Sequence, residues 1–158
     1  DIGVVPNIIA NADGSALVKF ADTVIVAGVK SEVVEASSID NLTDLLSNRI
    51  FNIDGLIYLV INFHHCFGAR SDIKPGPPSA ETQALTSRLS HSLKSTDIFD
   101  IQIMVIEKDV LCRVVYIDLA CIVDNGCTFD AALLAACIAL KNGTVFTGNT
   151  PIYSFSNF

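Results

Sequence analysis

Residues Asp124-Asn125-Gly126-Cys127-Thr128-Phe129 join a long apolar run to an almost wholly apolar stretch of helical character. A glycine turn followed by a hydroxyl residue at a helix start is a frame for an anion, because the first backbone N–H groups of a helix lack intrahelical partners. A phosphate held for chemistry needs more than this frame. An exposed helix end is worth roughly 0.3 to 1 kcal/mol, whereas arginine adds charge and paired donors. No arginine stands in this joint; Phe129 opens the helix, and a phenyl ring donates nothing.

Other residues carry chemistry by type. His64-His65-Cys66 are metal-ligand types, but neighbours on a strand point to opposite faces, so no metal site is expected. Asp118 lies mid-strand among apolar residues with no nucleophile or base motif beside it, so a structural role or a partner-facing position is expected. Asp13 and Asp22 read as turn formers. Arg70 and Lys74 sit in a loop bounded by glycine and prolines; a solvated loop is one reading and a contact to a phosphate is the other. Catalytic residues and cofactors are expected to be none.

The elements that must position these residues follow from periodicity. Asp1–Ala10 reads as extended and interrupted by Pro6, and Ala12–Ser15 as a turn. Two β-rich runs, ALVKF and TVIVAGVKSEVV, are joined by Ala21-Asp22 and predict a hairpin, with Ala16, Val18 and Phe20 on one face. Leu42, Leu45, Leu46 and Ile50 fall at helical spacing, with Asp40 as a cap and Arg49 near the end of that helix. Gly55 opens a strand through Phe63, and His64–Pro78 reads as a loop. Ser79 is placed to cap a helix to about Lys94, with Leu85, Leu89 and Leu93 inward. Ile101–Ile106 and Val110–Val123 read as strands on either side of a turn at Glu107–Asp109. Thr128 is placed to cap a last helix, Phe129–Lys141, stopped by Asn142-Gly143. Phe129, Ala132, Leu133, Ala136 and Leu140 share a face of it, and Phe129 is expected to anchor its start to the core.

Composition sets the bounds. The 158 residues are 51% hydrophobic and 17% charged, enough for one domain with a sizeable core and with surface to cover against partners. No apolar run reaches the ~18 to 20 residues of a membrane span, so no membrane partner is expected. The net charge of −7 argues against a surface that coats nucleic acid generally, and leaves room for a local basic lip. Five cysteines without a C-x-x-C pair read as buried free thiols. The chain opens without Met in an apparent strand, which reads as part of a longer protein. Strands and helices in this order predict an α+β fold, a mixed sheet with helices packed on one face.

Three segments together resemble one family: ADGSALVKFADTVIVAGVKSEV (12–33), GPPSAETQALTSRL (76–89) and YIDLACIVDNGCTFDAALLAACIALKN (116–142). They resemble the RNase PH-like ring subunits of the RNA exosome. The resemblance implies a single RNase PH-like domain over 1–158, of the ribosomal protein S5 domain 2-like fold, with a second half of similar architecture following. It implies a ring of six such subunits around a channel for single-stranded RNA. Other RNase PH-type subunits, capping subunits and RNA would be the partners, and nucleus, nucleolus and cytoplasm the location. Active members of the family hold phosphate with a Gly-Thr-Arg sequence at the second helix and another arginine before the first. Here the matching residues are Cys127, Thr128 and Phe129, and Pro78. The resemblance therefore implies a non-catalytic ring subunit supporting 3'-to-5' RNA processing. An active phosphorolytic exoribonuclease and an unrelated α+β binding module are the alternatives.

Overall fold

The structure, a computed structural model, describes residues 1–35, 49–52, 55–95, 111–147 and 150–154. Its strands are β1 (Ile2–Pro6), β2 (Gly14–Phe20), β3 (Thr23–Glu35), β4 (Arg49–Asn52), β5 (Gly55–His65) and β6 (Leu111–Val123), and its helices are α1 (Ala80–Ser95) and α2 (Thr128–Lys141). A short hairpin, β7 (Thr144–Thr147) with β8 (Thr150–Ser154), follows.

The six strands form one sheet in the order β1-β2-β3-β6-β5-β4. All neighbours are antiparallel except β5 and β6, which run parallel. A parallel pair needs a crossover, and α1 lies within it. Period-two alternation selects the inner face. Ala16 pairs with Ala27 and Val18 with Ile25; Ala27 then pairs with Leu119, and Phe63 lies beside Leu119 on the other side. Those residues are buried, and α1 and α2 cover them with Leu89, Leu93 and the small face of α2. Burying one such aliphatic side chain contributes roughly 1.5 to 3 kcal/mol, so this face dominates the stability of the sheet.

The face of α2 nearest the sheet is not quite the expected one. Ala131, Ala132, Ala135, Ala136 and Ala139 are fully buried, while Phe129 and Leu133 are only partly so. Alanine lets the helix approach the strands closely, and that turns the bulkier side chains toward the flanks. The approach is tightest where α2 ends. Thr144 N–H donates to the Asp13 carbonyl at 2.9 Å, and Gly14 lies against the Ala139 and Gly143 backbone.

The hairpin, the strand from Gly55, both helices and the long strand before Asp124 stand where periodicity puts them. The first strand ends at Pro6 rather than continuing to Ala10. Arg49 and Ile50, expected near a helix end, lie in β4, where pairing with Ile57 and Tyr58 overrides a weak helical spacing. Leu42, Leu45, Leu46 and the Asp40 cap fall outside the described residues, as do the strand Ile101–Ile106 and the turn at Glu107–Asp109. His64 and His65 belong to β5 rather than to the loop. The hairpin β7–β8 had a local signal, Gly148-Asn149 between two β-rich runs, that the sequence reading did not use. Among the described residues no helix is long and apolar enough to cross a membrane.

Candidate functional site

The N-termini of both helices meet at the end of β5, and one polar network ties them together. Ser79 caps α1 as expected: its Oγ accepts the Thr82 N–H at 3.2 Å. The Thr82 and Ser79 hydroxyls lie 3.0 Å apart, and Thr82 Oγ1 is 3.2 Å from His65 Nδ1. His65 Nε2 is 3.2 Å from Asp124 Oδ2, with both side chains almost fully buried. His64, the next residue back, is exposed on the opposite face of the sheet. Alternation thus separates the two histidines, and among the described residues no three His, Cys, Asp or Glu side chains form a metal-holding group.

Asp124 is the centre of the α2 start. Its Oδ1 accepts the Gly126 N–H at 3.2 Å and the Thr128 hydroxyl at 2.5 Å. Thr128 is therefore the first helical residue and not the cap. Cys127 holds the cap position in the left-handed region with φ 56°, and its side chain makes no capping bond. From β3, Thr23 clamps the same turn, donating to the Gly126 carbonyl at 2.5 Å and accepting the Asn125 N–H at 3.0 Å. Of the cysteines expected to be buried, Cys121 is buried, Cys66 and Cys137 are half-buried, and Cys127 is exposed because the turn projects it outward. Cys112 has no described side chain.

Arg70 is fully engaged. Its five N–H donors meet three carboxylates. Nε bonds Asp72 Oδ1 at 2.6 Å and Nη2 bonds Asp72 Oδ2 at 3.1 Å. Glu81 receives Nη1 at 3.3 Å and Nη2 at 2.8 Å, and Asp124 Oδ2 receives Nη1 at 3.1 Å. The hydrogen bonds to Glu81 and then Asp72 hold the guanidinium's pKa well above its ordinary value. Lys74, further along the loop, is exposed. An open cleft of about 540 Å³ lies between this loop and α1, with Arg70, Lys74, Asp72, Glu81 and the Pro77-Pro78 turn on its walls. Its carboxylates oppose an anion there. Pro78 contributes only a carbonyl, which accepts the Gln83 side-chain amide at 3.1 Å.

The carboxylates respond to this arrangement. Burial pushes the Asp124 pKa upward, but the Thr128 hydroxyl, the Gly126 N–H and the neighbouring Arg70 and His65 more than offset it, leaving it below the usual range. The Arg70 hydrogen bonds lower Asp72 and Glu81 as well. A carboxylate with a depressed native pKa stabilises the fold above its unfolded value of about 4 and loses that contribution as the pH falls through the native value. Asp72 and Glu81 are exposed, so screening leaves Asp124 as the main term. Urea unfolding is expected to give a flat stability between about pH 7 and 5 and a steep fall below about pH 4. Asp124→Asn should reduce that fall.

Phe129 sits beyond this network at the second position of α2. It packs against the core on one side, as expected of an anchor, and carries Arg88 of α1 on the other. The Arg88 Cζ lies 4.4 Å from the ring centroid, within the range of a cation–π contact. An open cleft of about 450 Å³ is lined by Ser87, Arg88, His91, Ser92 and Phe129. No local sequence signal pairs Arg88 with Phe129, which come from different helices. On the open sheet face, Asp118 is exposed, and its Oδ1 accepts the Asn62 amide at 2.8 Å. It borders a third cleft with Lys30, His64 and Ile9.

The comparisons with known proteins agree with this fold. Residues 1–145 match the family model for the 3' exoribonuclease family, domain 1 (RNase PH), and the chain belongs to that family. It is similar to the exosome complex component Rrp42 of Archaeoglobus fulgidus, 29% identical over 144 residues, covering 91% of this chain and 51% of the relative. It is also similar to the exosome complex component rrp43 of Schizosaccharomyces pombe, 28% identical over 141 residues and covering 89% and 47%. Among solved structures it resembles a chain of the Archaeoglobus fulgidus exosome with RNA bound to the active site: TM-score 0.75, 30% identity, 92% of this chain and 52% of that one. An archaeal exosome core gives a TM-score of 0.67 at 26% identity, over 92% of this chain and 49% of that one. The chain thus spans about half the length of the curated relatives it matches. An unrelated α+β module is excluded. The chain is Rrp42/Rrp43-like, and the two branches stand nearly level in identity.

Proposed function

We propose that this chain is a non-catalytic subunit of an exosome core ring, nearest in kind to ribosomal RNA processing protein 43, which supports 3'-to-5' RNA processing and degradation. Its task is to hold neighbouring RNase PH-type subunits and to help line a channel for single-stranded RNA, with capping subunits above. Nucleus, nucleolus and cytoplasm are the compartments we propose for it. The observation that carries the reading is the state of the two helix starts. By the family resemblance, Phe129 and Pro78 match the arginine positions used to grip phosphate, and neither carries a charge. Arg70, whose guanidinium reaches Glu81 of α1 and Asp124 before α2, has its donors committed to three carboxylates. Lys74 is the exposed cation of this loop and is the one the reading assigns to RNA.

Phosphorolysis places phosphate in line with the terminal linkage and stabilises the charge that develops there. Removing one such preorganised donor costs on the order of a hundred- to a thousandfold in rate. With two arginines replaced, release of nucleoside diphosphates from single-stranded RNA is expected to stay at background with or without inorganic phosphate. Phe129→Arg alone is expected not to restore it. Phosphate-dependent release by the purified chain would overturn the non-catalytic part of the reading.

A further inference from the structure

Most of the large hydrophobic side chains exposed among the described residues lie between Ile2 and Ile9, on and just after the edge strand β1. Folded proteins blunt an edge strand with charge, proline or a bulge, because its outward N–H and C=O groups can pair with another chain. β1 (IGVVP) carries no charge, keeps an unshifted register against β2 and has proline only at its last position. Among the described residues no strand pairs with its other edge. Its outward groups can be named. The Asp1 carbonyl accepts the Ala21 N–H at 3.0 Å, and the Asn7 N–H donates to the Ser15 carbonyl at 2.8 Å. These bonds bracket a regular antiparallel ladder, so alternation turns Gly3 and Val5 toward β2 and Ile2, Val4 and Pro6 outward. The free edge thus offers the N–H and C=O of Ile2 and of Val4, and the carbonyl alone of Pro6.

The side chains beside this edge differ between its two faces. On the helix side, Val4 stands next to the buried Val18 and Ile2 next to Phe20. α2 packs chiefly over β2 and β3, which leaves Ile2 61% and Val4 40% exposed. The apolar face of the sheet therefore runs on past its helical cover. On the open side, Gly3 stands next to Lys19, which is exposed and pairs with no carboxylate among the described residues. With no side chain on Gly3, nothing screens that ammonium from a strand laid along β1. We infer that the free edge of β1 accepts an extended peptide segment of a partner protein as an added strand. Its backbone bonds Ile2 and Val4, its aliphatic side chains at alternate positions cover those two residues, and an acidic side chain between them, beside Gly3, meets Lys19. The recognised pattern is hydrophobic–acidic–hydrophobic, and pairing stops at Pro6 for want of a donor. This edge is separate from both helix starts and does not rest on the ring role.

The test uses the whole chain and a capped synthetic peptide with Val-Glu-Val between Ser-Thr and Thr-Ser flanks, read by fluorescence anisotropy and by amide hydrogen exchange in NMR. At a peptide concentration ten times Kd, exchange of the Val4 N–H is expected to slow about tenfold. Gly3 and Val5, already bonded to β2, should change less. Lys19→Glu should weaken the Val-Glu-Val peptide about fivefold, the scale of an exposed ion pair, and should favour a Val-Lys-Val peptide instead. Val4→Pro removes an outward donor without touching the β2 ladder and should weaken binding about tenfold. Circular dichroism checks that each variant folds, and the charge-swapped peptide tests the site even if the proline variant does not. No binding by the unaltered chain at millimolar peptide, or binding that leaves Val4 exchange unchanged, would overturn the site. A Lys19→Glu chain that does not distinguish the two peptides would overturn it as well. Val4 protection that rises with chain concentration alone would overturn the peptide in favour of a second copy. Val4 protection in a complex with RNase PH-type subunits, before peptide is added, would overturn it in favour of a ring contact.

Discussion

Asp124→Ala is expected to lower the unfolding free energy by about 3 kcal/mol, the scale set by stranding buried polar partners. The carboxylate accepts four hydrogen bonds, from Gly126, Thr128, His65 and Arg70. Its removal leaves the Thr128 hydroxyl and His65 Nε2 without an acceptor in a buried place. Each stranded buried donor costs about 1 to 3 kcal/mol. Arg70 adds little, since its side chain is 33% exposed and keeps Asp72 and Glu81. For a domain of this size the loss corresponds to a fall of roughly 6 to 12 °C in Tm. Asp124→Asn retains one acceptor and should lose about half as much. Equilibrium unfolding in urea at neutral pH reads both. A loss under about 0.5 kcal/mol, the level of ordinary surface substitutions, would show that the network does not hold the α2 start.

The second large effect falls at Gly14, where steric contact decides the outcome. A Cβ built there overlaps the Ala139 carbonyl oxygen and comes within 2.6 Å of Gly143 Cα and 2.9 Å of Gly143 N. These are backbone atoms, so no rotamer change relieves the clash. Either β2 or the end of α2 must move, and each is fixed by the buried alanine face. Gly14→Ala is expected to cost about 3 kcal/mol, at the upper end of overpacking effects. Gly28→Ala is the control. Its Cβ meets only the Ile9 Cδ1 at 3.3 Å, the far end of a flexible side chain, and a cost under about 1 kcal/mol is expected. Thermal unfolding of the two variants separates them. Equal losses would mean that the close approach of α2 to β2 is not a constraint.

These two sites also show what was legible in the sequence. The strands could be read because alternation at Ala16, Val18, Ile25 and Ala27 states which face is buried. Ser79 and Asn142-Gly143 could be read because capping chemistry is local: Ser79 Oγ accepts an N–H three residues on, and Asn142 reaches back to the Ile138 carbonyl. The Asp124 network could not, because it joins β5, the loop after it and both helix starts across 54 to 59 residues. Arg70 in isolation reads as a solvated loop residue, and only the fold brings three carboxylates to it. Thr128 looked like a cap because its type suits one, but the neighbouring Asp124 offers its hydroxyl a better acceptor. Ile50 misled for a related reason: four apolar residues at helical spacing cannot reveal that a strand partner waits at Ile57.

Phe129 draws the two halves of the account together. It brings no charge to the start of α2, and it carries Arg88 above the same helix start. The fold is the family's, with Arg70 bound to carboxylates and Arg88 stacked on a ring.

Assembly is the most direct test. The chain should be co-expressed with RNase PH-type exosome subunits, captured through a tag on the chain, and weighed by native mass spectrometry. The account predicts a stable hetero-oligomer containing RNase PH-type partners in fixed stoichiometry. A stable monomer that captures none of them would contradict it.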